Sequence, residues 1–252
     1  MDAILLAGGD AGKLGLTLCP SNHRALTPIA GRPMIEYVVE ALRASERVKR
    51  LIIVGELSAL QPLYSDADDI VLLQGGGSIV TNALIGLEQV EGYALIATVD
   101  IPLVTGPVID AFIAQCEEAG PLDFYYPVLS RQTNEAAYPA AKRTYFRLAE
   151  GNFTGGNIIM VNAAVAGKNK AKITALVEHR KSAVKMALDV GLIPLFKMLI
   201  GRLPLSGAEK AVRKILNITG KAVVSLTPEI GLDVDKPSDW EAVSEILGKK
   251  EL

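Results

Sequence analysis

The chain has 252 residues, 50% of them hydrophobic and 21% charged, with a formal net charge of -2. This balance is globular and excludes a disordered chain, and at this length one domain can bury about 70% of its unfolded surface without a disulfide or a structural metal. Two cysteines, Cys19 and Cys116, and two histidines, His23 and His179, form no Cys-x-x-Cys or Cys/His cluster, which argues for a reducing compartment. They are also too few for a Ser-His-Asp triad, a His-x-x-x-His zinc enzyme or a Cys-His nucleophile, so chemistry has to rest on carboxylates, cations and backbone amides.

In chain order, the first apolar stretch, Ala3 to Ala7, is cut short by Gly8-Gly9 and follows Asp2 rather than a cation, which is unlike a secretory signal. The apolar run Val190 to Ile200 contains Pro194 and Lys197 and falls short of the roughly 20 residues of a membrane span. A cytoplasmic protein is expected. Ile4-Leu5-Leu6-Ala7, Leu51 to Val54, Ile70 to Leu73 and Ala94 to Ala97 are continuous apolar runs, as buried parallel strands are. Phe124 to Tyr126, Asn157 to Val161 and Val223 to Leu226 are further strand candidates. Helical patterns alternate with them: Pro33 and Pro107 suit first turns of helices carrying Ile35, Val38, Val39 and Leu42, and Ile109, Phe112 and Ile113. This alternation predicts an α/β fold, a mostly parallel sheet covered by helices on both faces.

One region breaks the rhythm. From Lys168 to Lys214 there are eleven Lys/Arg against Glu178, Asp189 and Glu209, a local balance of about +8. Its periodicity is helical, with breaks at Gly191 to Pro194 and Gly201 to Gly207, so a basic helical insertion is expected at about residues 163–219 of a single domain spanning 1–252. A basic, solvated helical face accounts for it, and so does a surface that meets an anionic partner or a phospholipid headgroup.

Gly8-Gly9-Asp10-Ala11-Gly12-Lys13-Leu14-Gly15 directly follows the first strand, where amides can approach phosphate oxygens unhindered. The spacing is neither a Walker A loop, since Leu14 stands where Ser or Thr would bind magnesium, nor a G-x-G dinucleotide fingerprint. Lys13 and Arg24 add cations to the turn. A second glycine bend, Gln74-Gly75-Gly76-Gly77-Ser78, leads into a helix with Asn82 four residues after Ser78; there Ser78 is either a ligand contact or simply an N-cap. Asp100-Ile101-Pro102 follows the strand Ala94 to Val99, and the carboxyl ends of parallel strands are where open α/β sheets bind ligands. Asp233 and Asp235 precede Pro237, which suits a helix start.

Leu6-Ala7-Gly8-Gly9 with a cation at Lys13, then Arg24-Ala25-Leu26-x-Pro28-Ile29-x-Gly31-Arg32-Pro33-Met34-Ile35, resembles the N-terminal signature of nucleotidyltransferases related to molybdenum cofactor guanylyltransferase. The resemblance continues in order through most of the chain, with the basic insertion outside it. That family commonly has Arg at the Lys13 position and Lys at the Arg24 position, so charge is retained while hydrogen-bonding geometry changes. It implies a Rossmann-like, three-layer nucleotidyltransferase (GT-A type) fold and transfer of an NMP group from an NTP, GTP or CTP, to a phosphorylated acceptor, with release of pyrophosphate.

By the same resemblance, Leu6, Ala7, Gly8, Gly9, Gly12, Lys13, Arg24, Gly75, Gly76, Gly77, Ser78 and Asn82 hold the nucleotide. Lys13, Arg24 and Asp100 are the catalytic candidates. Asp100 holds Mg²⁺ with Asp235 or Asp233, of which Asp235 is favoured as nearest the last helix, and strand-like alternation would turn both acids to one face. Phe153-Thr154-Gly155-Gly156-Asn157 resembles the acceptor side, with Thr154, Gly155, Gly156 and Asn157 as contacts. No nucleic acid partner is expected, and a peripheral membrane or anionic partner would meet the basic insertion. Two rivals stay open: a metal-dependent glycosyltransferase that reads Asp233-Val234-Asp235 as its DxD motif, and a nucleotide-binding regulatory protein without catalysis.

Overall fold

A computed structural model describes residues 1–19, 21–139, 141, 143–179 and 192–250. Its centre is a nine-stranded sheet built from β1 (Asp2–Leu6), β4 (Arg50–Gly55), β5 (Ile70–Gln74), β6 (Tyr93–Thr98), β7 (Phe124–Ser130), β8 (Phe146–Leu148), β9 (Gly151–Gly155), β10 (Ile158–Asn162) and β11 (Gly220–Val224), with β2 (Pro28–Ile29) and β3 (Arg32–Pro33) in a separate small hairpin. The order is β5-β4-β1-β6-β10-β7-β9-β8, and β11 joins β7. β1 runs parallel to β4 and β6, β4 to β5, and β7 to β11, whereas β10 is antiparallel to β6 and β7 and β9 is antiparallel to β7 and β8. This is the expected α/β architecture, a mostly parallel, Rossmann-like sheet with helices.

The four continuous apolar runs in the first hundred residues became β1, β4, β5 and β6; β1, β4 and β6 are buried along most of their length, whereas β5, at the end of the sheet order, is fully buried only at Ile70. β9 and β10 are one segment bent at Gly156 and Asn157: Val128 opposes Gly155, but Tyr125 opposes Met160, so the pairing with β7 slips by two residues across the bend. Gly156 N–H still donates to Pro127 O at 3.0 Å, while Asn157 N–H turns away to Ile230 O at 2.9 Å. Such a bulge re-aims the chain at the edge where the candidate site lies.

Side chains alternate across the sheet. Ala3 and Leu5 belong to one core with the helices Met34–Arg43, Gly106–Glu118 and Pro237–Lys250, in which Ile35, Val38, Leu42, Ile109, Phe112, Ile113 and Val243 are all fully buried. Ile4 and Leu6 face the opposite side, covered by the helices Ile79–Leu87 and Ala163–Lys168. Trp240 at the start of the last helix donates its indole N–H to Pro28 O at 2.8 Å, tying that helix to the small hairpin.

The later chain departs from expectation in detail. The strand expected at Val223 to Leu226 is Gly220–Val224; Ser225 N–H still reaches Val128 O at 2.9 Å, and Leu226 leaves the sheet for solvent. The helix Leu192–Leu199 starts within the expected break and carries Pro194 in its first turn, where the missing N–H would have no helical partner. The next helix, Leu205–Leu216, includes Gly207, so the second break ends earlier than the glycine spacing suggested. Gly191 and the part of the basic insertion at 180–191 lie outside the described residues. No helix among the described residues is long and apolar enough to cross a membrane.

Candidate active site

The carboxyl ends of β1, β4 and β5 open on a cleft of about 270 Å³ lined by Ala7, Gly8, Gly9, Gly55, Gly75 and Gly77, together with Asp10, His23, Glu56 and Asn82. Ala7 N–H donates to Val54 O at 2.9 Å and Gly75 N–H to Gly55 O at 2.7 Å, so the strand ladders continue into the loops. Asn82 sets the distance between the two glycine bends. Its side chain is buried, its Oδ1 accepts from Gly76 N–H at 2.7 Å, and a Cβ on Gly8 would lie 2.5 Å from its Nδ2. Gly8 is therefore required by close approach, whereas Gly9 needs its glycine for a φ of 110°.

The remaining residues expected at the nucleotide divide by position. Ser78 caps the helix Ile79–Leu87, accepting from Thr81 N–H at 3.0 Å. Gly12 N–H bonds the Asp10 carboxylate at 2.9 Å, and Lys13 is exposed on the short turn Gly12–Leu14. Leu6 points away from the cleft into the core of the opposite sheet face. His23 Nδ1 lies 3.4 Å from the Glu56 carboxylate at the rim, a pair that the sequence analysis did not single out.

Beside the cleft, carboxylate oxygens of Asp100, Asp233 and Asp235 lie within 4.8 Å of one another. Asp100 follows β6; the segment of Asp233 and Asp235 is extended but forms no strand, and Val234 N–H anchors it to Asp100 O at 2.9 Å. Both acids thus approach Asp100 as expected, through this single backbone link rather than strand alternation. Arg24 Nη2 lies 2.8 Å from Asp100 Oδ2, donates to Val234 O at 2.8 Å and pairs with Asp235. Arg143 pairs with Asp233. Thr98 Oγ1 donates to Asp100 Oδ1 at 2.5 Å.

The electrostatics follow from this crowding. Burial pushes the Asp100 carboxyl above the usual carboxylate range, against the pull of Arg24 and the Thr98 hydroxyl. Burial pulls the Arg24 guanidinium down, but Asp100 and then Asp235 outweigh it and the proton is held more firmly than in free arginine. Burial lowers Arg143 even though Asp235 and Asp239 oppose it. Asp235 is the exposed member of the cluster, its side chain 57% accessible against 15% for Asp100 and 14% for Asp233. An all-oxygen set of three carboxylates with one exposed arm suits a hard divalent cation such as Mg²⁺.

In the segment expected to meet the acceptor, the glycines have local reasons for their size. A Cβ on Gly155 would collide with the Tyr126 hydroxyl, and one on Gly156 would lie 2.7 Å from Ile230 and 2.9 Å from Pro127. Thr154 is buried opposite Leu129. Asn157 differs: its Nδ2 is buried without a hydrogen-bond partner. Arg143 and Thr98 escaped the sequence analysis, the first because it stands in an irregular loop and the second because a threonine inside a strand carries no distinguishing signal.

Residues 3–164 match the model of the family described as the MobA-like NTP transferase domain. A solved structure described as a hypothetical transferase from Thermus thermophilus is 35% identical, with a TM-score of 0.83 over 95% of this chain and 98% of that one. A CMP:2-keto-3-deoxy-manno-octonic acid synthetase complexed with CTP covers 100% of both chains at 14% identity and a TM-score of 0.64, a likeness of fold. Among curated proteins, the bifunctional protein GlmU of Bacillus mycoides (strain KBAB4) is 28% identical over 122 residues, 47% of this chain and 26% of its own length. The match thus spans about a quarter of that relative.

Proposed function

This chain belongs to the MobA-like NTP transferase domain family, and from that premise we propose that it moves an NMP group from an NTP to a phosphorylated small-molecule acceptor. The observation that carries this reading is the cluster of Asp100, Asp233 and Asp235 within 4.8 Å, at the same sheet edge as a cleft walled by two glycine bends. The cleft takes the nucleoside, and the backbone amides of the first bend, with Lys13, face the triphosphate. An oxygen of the acceptor phosphate attacks the α-phosphorus as the bond to the β-phosphate oxygen breaks and pyrophosphate leaves, with no covalent enzyme intermediate. Asp100, Asp233 and Asp235 are the residues that would hold Mg²⁺, whose charge offsets that of the two anions brought together.

The protein's own part is alignment and charge. Arg24 holds Asp100 and Asp235 in place and lies next to the developing negative charge. Asn82 fixes the spacing of the bends, so the nucleoside meets a preformed wall. CTP is the first donor to test, since the solved synthetase of the same fold is complexed with it; GTP is the second.

A thermal-shift panel of the four NTPs and several nucleotide sugars, with and without Mg²⁺, on wild type and Asp100→Ala tests the reading. Saturation at about 100 times Kd stabilises the fold by about 2.7 kcal/mol, a shift of a few degrees. One NTP is expected to shift the protein only when both Mg²⁺ and the Asp100 carboxylate are present. A shift with a nucleotide sugar alone would assign glycosyl transfer instead, and tight NTP binding without turnover on any phosphorylated acceptor would assign a regulatory binder.

A further inference from the structure

Beneath the helices of the less filled sheet face lies a second cavity, of about 390 Å³, between the sheet and the helices Ile79–Leu87, Ala163–Lys168, Lys170–His179 and Leu205–Leu216. Its floor includes Leu6, Ile96 and Ile159, and its roof Ala83, Ile173 and Val212. It opens to solvent beside Ile79 and Tyr126, and small-molecule sites occupy about 300–1,000 Å³, so a groove of this size has the dimensions of a ligand site.

The few polar side chains in the lining are placed unevenly. Asp123 is already satisfied by Thr219, whose N–H and hydroxyl donate to it at 2.7 and 2.8 Å. At the catalytic edge stand Thr98 and Asn157. Thr98 bonds Asp100 directly, and Asn157 keeps a buried Nδ2 with no partner. A buried amide donor left without an acceptor is costly unless a ligand supplies one. Apart from Asp123 and Tyr126 the lining is therefore apolar along its body, with Thr98 and Asn157 where it meets the carboxylate cluster.

We propose that this cavity holds the hydrocarbon chain of the acceptor, and that the acceptor is an amphiphilic phosphate monoester. Its chain lies along the sheet beneath Ala83 and Ile173, its head group lies beside Thr98 and Asn157, and the phosphate reaches the nucleotide beside Asp100. The inference rests on the nucleotidyl-transfer reading for the reaction, but the chain site stands on the cavity alone. The surroundings fit such a ligand. The helix Leu192–Leu199, which packs against Leu205–Leu216, exposes Ile193, Phe196 and Leu199 close in sequence to Lys197 and Arg202, a combination suited to a lipid or micelle interface.

The test is a binding series of butyl, octyl and dodecyl phosphate below their micellar concentrations, by calorimetry on the full chain, with CTP and Mg²⁺ binding measured on the same preparations. Each buried methylene strengthens binding about fourfold, so octyl phosphate is expected to bind on the order of 100-fold more tightly than butyl phosphate. Ala83→Trp and Ile173→Trp, which fill the cavity from separate helices, are expected to remove this chain-length dependence and leave CTP binding unchanged. Equal affinity for butyl and octyl phosphate overturns the proposal, as does a chain-length dependence that either folded variant retains. CTP binding without chain-length dependence sinks the chain site and leaves nucleotidyl transfer standing; chain-length dependence without NTP binding does the reverse.

Discussion

On one face of the sheet Leu5, Leu95 and Tyr125 meet Ile35, Phe112 and Val243, and none of them is more than 1% exposed. On the other, Leu6, Ile96 and Ile159 look into a cavity of about 390 Å³. The difference follows the origin of the covering helices. Of the helices on the filled face, Met34–Arg43 and Gly106–Glu118 lie within the family match at 3–164 and Pro237–Lys250 closes the chain, whereas over the open face only Ile79–Leu87 lies wholly inside the match, Ala163–Lys168 straddles its end, and Lys170–His179 and Leu205–Leu216 follow it. The portion that matches the family model thus carries both glycine bends of the cleft, and the helices Lys170–His179 and Leu205–Leu216 over the open face lie beyond it.

The comparison can be broken most directly by truncating one residue on each face. Phe112→Ala is expected to destabilise the protein by about 3–5 kcal/mol, because a filled core cannot collapse around the loss, whereas Ile159→Ala, already beside a void, should cost about 1–2 kcal/mol. Urea midpoints at unchanged m-value read both; equal costs would mean that the two faces are packed alike. At the edge where the faces meet, Asp100→Asn is expected to lower turnover at least 100-fold, about 2.7 kcal/mol in the barrier, without loss of fold, as measured by pyrophosphate release and circular dichroism.

Smaller effects sharpen the picture. Asn82→Ala leaves Gly76 N–H without its partner and loosens the bends, and should weaken NTP binding about tenfold, roughly 1.4 kcal/mol, with alkyl phosphate binding unaffected. The smallest effect concerns the filled face. Cys116 is fully buried there and burial pushes its thiol up to about 12, so at pH 8 almost no thiolate forms. An aromatic disulfide reagent is expected to leave it unmodified in the native protein and to react with it promptly in denaturant.

The sheet was legible in the sequence where burial on both faces makes a strand continuously apolar, as in β1, β4 and β6, and the helix Met34–Arg43 showed in the spacing of Ile35, Val38, Val39 and Leu42. The glycine bends and Asp100 were legible because each follows such a strand. The three-acid cluster came from family resemblance: more than 130 residues separate Asp100 from Asp233, and no local period reports that separation. Arg143 was silent for the same reason, since its partner lies far along the chain. The cavity could not be read at all. Apolar residues such as Ala83, Ile173 and Val212 show the same helical spacing whether they face a neighbour or an empty space.

Trp240 is the chain's single tryptophan, and its indole N–H is held by Pro28 O, four residues from Arg24. The molecule therefore carries one indole fluorophore, which can be excited apart from its tyrosines and is wired to the short hairpin that follows the arginine of the acidic cluster. Its emission wavelength and quenching by iodide or acrylamide offer a label-free optical readout of whether that hairpin and the last helix stay docked as nucleotide and metal are titrated in.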